Sequence, residues 1–154
     1  MSFESLLESV AKIDPALRVR FATSHPKDLS DGLLQVMSSY PNLCKSIHLP
    51  VQSGSTSVLK RMKRNYSREH YMSRIEAIRK ELPGSSISTD IIAGFCDETE
   101  EEHRETLSLM EWVGYDFSYM FKYSERPDTF AAKRYSDNVS EETKTRRLNE
   151  IIKL

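Results

Sequence analysis

The chain has 154 residues, 38% of them hydrophobic and 29% charged, with a net charge of −1. That is enough for one domain with its own core, and the apolar runs are too short to span a bilayer as a helix. Cys44, Cys96 and four scattered histidines offer no zinc or iron–sulfur spacing, and MSFESLLESVAK lacks the basic and apolar regions of a secretory signal, so a reducing cytoplasmic setting is expected.

In chain order, Phe3–Lys12 has helical spacing, with Leu6, Leu7 and Val10 apolar. RVRFAT (Arg18–Thr23) reads as a strand. LSDGLLQVMSSY follows as a helix, with Ser30 as N-cap and Leu29, Leu33, Leu34, Val36 and Met37 apolar. SIHLPV (Ser46–Val51) is a second strand. SREHYMSRIEAIRKEL is then a helix capped by Ser67, with Tyr71, Met72, Ile75, Ile78 and Leu82 on one stripe. SISTDIIAGF (Ser86–Phe95) is a third strand. TEEEHRETLSLMEWV opens on a capping box, Thr99 with Glu102, and carries Leu107, Met110 and Val113 as its apolar stripe. FSYMFKY (Phe117–Tyr123) is a fourth strand, and a last helix starts near Ser140. A helix followed by four strand–helix units predicts an α/β fold with a parallel sheet, either doubly wound or part of a (β/α) barrel.

In both architectures ligands bind where the strands end at their C-termini. Those ends carry Thr23, Ser24, His25 and Pro26; Gln52, Ser53 and Gly54; Asp90, Gly94 and Phe95; and Lys122, Tyr123, Ser124 and Arg126. The sets are polar and partly cationic, with no nucleophile–base pair, which suits a site that holds a cofactor while the cofactor does the chemistry. Each set also has a structural reading: turns before helices, a capping serine, a surface arginine. Asp90, inside an apolar strand, needs partners if it is buried. Charge is uneven. Lys45–Lys80 holds nine Lys/Arg against two acids, and Asp97–Glu111 holds seven acids and one Arg. The basic stretch, with Lys60, Arg61, Lys63 and Arg64, is either a nucleic-acid contact or a solvated face.

RVRFATSHPKDLSDGL, IHLPVQSGSTSVLKRMKRNYSREHY, ISTDIIAGFCDETEEEHRETL and FKYSERPDTFAAK resemble, in that order, the second half of the radical-SAM domain of methylthiotransferases. TSHPKD and YSERPDT point to the branch that adds a methylthio group to C2 of N6-isopentenyladenosine in tRNA. The resemblance implies a partial TIM-type barrel, of which residues 1–154 are the C-terminal portion, about four βα units. It also implies S-adenosylmethionine and [4Fe–4S] clusters as cofactors, the tRNA anticodon stem-loop as partner, and no membrane. A C-x-x-x-C-x-x-C motif is absent from this sequence, so the cluster ligands, a methylthiotransferase domain and a TRAM domain would belong to the rest of a longer polypeptide. No catalytic or metal residue is then expected in this stretch, which would be inactive alone. By the same resemblance Gln52, Ser53, Ile92, Gly94, Phe95, Thr23 and Ser24 would bind the cofactor, and His25, Tyr123, Ser124 and Arg126 the substrate. Cys96-Asp97 replaces the family's usual Pro-Gly, and Asp128 stands where Gly is common, so differently shaped loops are expected at both places. A threonylcarbamoyladenosine tRNA or a ribosomal protein as target, or a non-catalytic βα binding module, remain open alternatives.

Overall fold

The computed structural model describes residues 2–22 and 25–154. Its elements are α1 (Phe3–Ala11), α2 (Asp31–Ser39), β1 (Ser46–His48), α3 (Thr56–Arg61), α4 (Arg68–Glu81), β2 (Ser86–Ala93), α5 (Glu100–Val113), β3 (Phe117–Lys122), α6 (Phe130–Arg134) and α7 (Glu141–Ile152). The strands form one parallel sheet in the order β1-β2-β3. Helices connect parallel neighbours, as the strand–helix alternation requires. The expected α/β class with a parallel sheet holds.

The helix starts follow from local hydrogen bonding. The side chains of Ser2, Ser30, Ser67, Thr99 and Ser140 each accept a backbone N–H from the first turn of the helix that follows. At Thr99 the Glu102 carboxylate also accepts the Thr99 N–H at 2.9 Å, completing the box. Gly114 closes α5 at φ 57°, a conformation that glycine adopts without strain.

β2 decides the layering. Ile87, Thr89, Ile91 and Ala93 are buried under the helices, and Ser86, Ser88, Asp90 and Ile92 face the other way, half-buried. The helix side is the core: Leu33, Leu34, Met37, Tyr71, Ile75, Ile78, Leu109 and Val113 close over it. The opposite face is open. It carries His48 from β1, and Phe117, Tyr119 and Phe121 from β3 remain about half exposed there.

Two expectations need correction. Arg18–Thr23 does not form a strand among the described residues: Val19 makes a single parallel bridge to Leu43, with the Val19 N–H donated to Asn42 O and the Cys44 N–H to Val19 O. Its neighbour offers only residues 42–44 before turning to pair with β2, so the Arg-Val-Arg-Phe alternation finds too short a partner. The second strand also stops at His48 rather than Val51, because Pro50 has no N–H for the ladder. Thr89 patches the gap: its hydroxyl donates to Leu49 O and accepts the Val51 N–H, both at 3.0 Å. Pairing resumes at the Gln52–Ile91 bridge. The short helices α3 and α6 are additions to the sequence reading.

Candidate cofactor cleft

The interruption at Pro50 has a consequence at the next residue but one. Gln52 takes φ 70°, its N–H donates to Asp90 O and its carbonyl accepts the Ile92 N–H, each at 2.9 Å. A glutamine in the left-handed region is strained, and β2 holds it there from both sides. The bend brings the Gln52 side chain into a cleft of about 600 Å³ above the strand ends. Asp90 and Ile92 from β2, and Phe121, Tyr123, Ser124 and Arg126 from β3 and beyond, line it with Arg64. A second lobe of about 250 Å³ shares Gln52, Arg64, Ile92 and Tyr123, and adds Phe95, Lys63 and Phe130.

The polar groups have distinct roles. Asp90 is not buried; its side chain is 30% exposed and stands 3.3 Å from His48 Nε2, whose Nδ1 lies 2.9 Å from Ser88 Oγ. The carboxylate thus keeps a second oxygen for a ligand. Two cations near the cleft are taken: Arg61 pairs with Glu102 at 2.7 Å and Lys122 with Glu141 at 3.1 Å. Arg64 and Arg126 make no ion pair among the described residues. Burial opposes ionisation of Glu102, but Arg61, the Ser57 hydroxyl and the Thr99 N–H outweigh it and bring its pKa down to about 2. The Tyr123 hydroxyl is buried beside the Cys96 thiol, and burial first, then that thiol, raises its pKa.

The structure brings Gln52, Ile92, Tyr123, Ser124 and Arg126 together on one cleft, with Phe95 in the adjoining lobe. It does not bring Ser53, Gly94 or His25 there. Ser53 is fully buried; its hydroxyl accepts the Ser55 N–H at 3.2 Å and lies 3.3 Å from Thr106 Oγ1, so it builds the loop. Gly94 (φ 75°) gives its N–H to Glu98, and a Cβ there would stand 2.4 Å from Lys144 Cγ. It is a close-approach glycine under α7. His25 accepts the Lys27 N–H in its own turn and sets its ring edge-on to Tyr66 at 5.2 Å. Thr23 and Ser24 lie outside the described residues. The sequence reading passed over Arg64 and Phe121 as lining residues; the basic run after α3 was the one available signal for Arg64.

Asp97 and Asp128 both take a glycine-like backbone. Glu98 N–H closes onto Phe95 O at 2.9 Å and Asp97 has φ 58°, the third-position geometry of a type II turn. Asn138 fixes it, accepting the Asp97 N–H at 2.9 Å and donating to its carboxylate at 2.6 Å. Asp128 takes φ 66° in the same way. Aspartate tolerates this region better than most residues.

α7 locks the back of the cleft. Arg147 pairs with Glu98 at 2.8 Å with both side chains buried, and Lys144, 2% exposed, meets Asp137 at 2.7 Å and Glu141 at 2.9 Å. His103, 1% exposed, reaches Glu150 at 2.7 Å.

A parallel sheet whose strand ends open on a cleft with a few convergent polar groups is a common setting for a bound cofactor, and the family comparison agrees: the model of the radical SAM superfamily matches residues 2–110, and the chain belongs to that superfamily. Among individual relatives, it is 58% identical over all 154 residues to a tRNA-2-methylthio-N(6)-dimethylallyladenosine synthase of Bacteroides fragilis, covering 34% of that protein. It is 55% identical over 154 residues to the protein of the same name from Chlorobaculum tepidum, covering 35% of it. The chain thus spans about a third of the length of the curated relatives it matches. Among solved structures, coproporphyrinogen III oxidase from Escherichia coli, described as a radical SAM enzyme, superposes with a TM-score of 0.78 at 18% identity, over 99% of this chain and 36% of that one. That likeness speaks for the fold alone.

Proposed function

We propose that residues 1–154 are the cofactor-holding portion of the radical-SAM domain of a tRNA methylthiotransferase, which adds a methylthio group to C2 of N6-isopentenyladenosine beside the anticodon. The observation that carries this reading is identity of 55–58% along the whole chain to enzymes named for that product, with the cleft residues on one surface. The resemblance seen in the sequence supports the same branch.

The cleft suits S-adenosylmethionine by its donor set. The guanidinium groups of Arg64 and Arg126 match a carboxylate, Asp90 matches hydroxyl or ammonium donors, and Ile92, Phe95 and Tyr123 offer apolar contacts for a purine. The Gln52 amide makes no hydrogen bond among the described residues and is held at the mouth by a strained backbone. When bound, that cofactor supplies radical hydrogen abstraction; this chain orients it, excludes water and fixes its charged ends. An iron–sulfur cluster does not fit the described residues, since no group of three His, Cys, Asp or Glu among them could hold a metal. In this reading its ligands lie in sequence beyond residues 1–154, as do the remaining domains. No helix among the described residues is long and apolar enough to cross a membrane, consistent with a cytoplasmic site of action on tRNA.

The test is mass spectrometry of tRNA nucleosides from cells lacking the gene, complemented with wild type or Asp90→Asn. Loss of 2-methylthio-N6-isopentenyladenosine with accumulation of its precursor, restored by wild type and at least tenfold less by the variant, is expected. Persistence of the nucleoside in the deletion strain overturns the target, and threonylcarbamoyladenosine derivatives and ribosomal proteins are then measured.

A further inference from the structure

The outer lobe of the cleft contains an arrangement that a small-molecule site does not explain. Helix α3 ends in a Schellman turn: Arg64 N–H reaches Leu59 O at 2.9 Å and Lys63 N–H reaches Lys60 O at 3.1 Å. The residue just past the cap of such a turn sits in the left-handed region, where glycine is strongly favoured. Here it is Lys63, at φ 58°. A lysine in that conformation is disfavoured relative to glycine, so its side chain has a reason to be there beyond the turn.

That side chain crosses to the opposite wall. Its ammonium lies 4.4 Å from the centroid of the Phe130 ring, at the start of α6. Phe130 is 46% exposed and sits edge-on to Tyr135 at 6.2 Å. Tyr135 meets Phe95 at 6.3 Å, and Phe95 meets Tyr123 at 4.8 Å. An aromatic path therefore runs from the rim to the cleft floor. Among the described residues, Lys63 makes no ion pair. The outer lobe has no acidic lining residue.

We propose that the Lys63–Phe130 lip is a single-stranded RNA subsite: Phe130 stacks a nucleobase next to the one entering the cleft, and Lys63 holds the intervening phosphate. Alternating cations and exposed aromatic faces are what single-stranded nucleic acid requires. The four-residue basic run read from sequence is narrowed by this geometry, because Arg61 is committed to Glu102. The inference rests on the tRNA reading above and adds residues to it.

The test uses the full-length protein and a fluorescent anticodon stem-loop RNA, with anisotropy titrations at several KCl concentrations. Lys63→Gly is the decisive variant, because glycine is favoured at this backbone position and loss of binding cannot be laid to misfolding. It should weaken binding about threefold to tenfold and reduce the slope of log K against log salt by about 0.7, one phosphate contact on a single strand. Phe130→Leu should weaken loop binding about tenfold with the slope unchanged, and leave binding to a fully paired RNA as it was. Wild-type affinity and slope in both variants would overturn the lip while leaving the tRNA reading intact. Equal loss of loop and duplex binding in Phe130→Leu would overturn the stacking role. Failure of the wild type to bind the stem-loop would overturn both this inference and the reading beneath it.

Discussion

Gly54 gives the sharpest test of how the cleft is built. A Cβ on it would stand 2.5 Å from Thr106 Cα, 2.7 Å from Glu105 O and 2.9 Å from Thr106 N. All three are backbone atoms of α5, so no rotamer change relieves the clash. Carbon atoms pack at about 3.5–4.0 Å, so the loop and the helix must separate by about 1 Å. Overpacking of this kind costs about 1–3 kcal/mol. The separation also stretches the Gly54 N–H to Thr106 Oγ1 bond, now 3.0 Å, which adds about 1 kcal/mol. Gly54→Ala is therefore expected to lower unfolding free energy by about 3 kcal/mol, read from urea transitions by circular dichroism. Cofactor affinity should fall too, since Gln52 lies two residues upstream on the displaced loop. Thr106→Ala removes the hydroxyl but none of the clashing atoms, so Gly54→Ala/Thr106→Ala should be no more stable than Gly54→Ala alone. A cost below about 0.5 kcal/mol, or rescue by Thr106→Ala, would refute the close seating of this loop on α5.

Three further outcomes follow from the ion pairs and turns. Arg147→Met strands the buried Glu98 carboxylate and should cost about 3 kcal/mol; Glu98→Gln/Arg147→Met should cost less, and equal losses in thermal unfolding would argue against a charged pair. Arg146 beside Glu100, and Arg61 beside Glu102 against the opposing effect of burial, each hold a carboxyl at about 2, below the ordinary 4.5. Depressed carboxyls stabilise the fold fully above about pH 4.5 and lose that contribution as the pH falls towards 2. Glu102→Gln should therefore flatten the acid limb of the stability–pH curve, and an unchanged limb would remove Glu102 from the account. Asp128→Gly, at φ 66°, should be neutral or raise stability by up to about 1 kcal/mol, measured by urea midpoint; a clear loss would mean the Asp128 side chain supports its turn.

What the sequence made legible divides along a physical line. Caps and stripes depend on residues three or four apart, and Ser30, Ser67, Thr99 and Ser140 all cap where their spacing says. β2 and β3 were legible because both are long enough to show alternation. Arg18–Thr23 alternates equally well, yet pairing is a property of two segments, and its neighbour supplies only residues 42–44. The α5 stripe was half read: Met110 and Val113 are buried, but so are His103 and Thr106, polar residues that no apolar pattern marks. They are inside because partners far along the chain meet them: Glu150 takes His103 Nε2, leaving Nδ1 without a partner, and the Gly54 N–H donates to Thr106.

The same division runs through the candidate site. Proximity to a strand end selected Gln52, Ser53 and Gly94 alike, yet backbone geometry separates them. At Gln52 the break after Pro50 and the return to β2 force a left-handed residue whose side chain faces the cleft. One residue later the chain drops onto α5, and the Ser53 hydroxyl is consumed by Ser55 and Thr106. Gly94 is required because Lys144 crosses above it, an event set by the docking of α7 some fifty residues on. Local sequence thus says where a site will be. Which of its residues touch a ligand is settled by contacts between distant segments, and Lys63 shows the converse. There a locally disfavoured residue, legible as a lysine where glycine belongs only once the Schellman turn is seen, marks a side chain held for a use outside the fold itself.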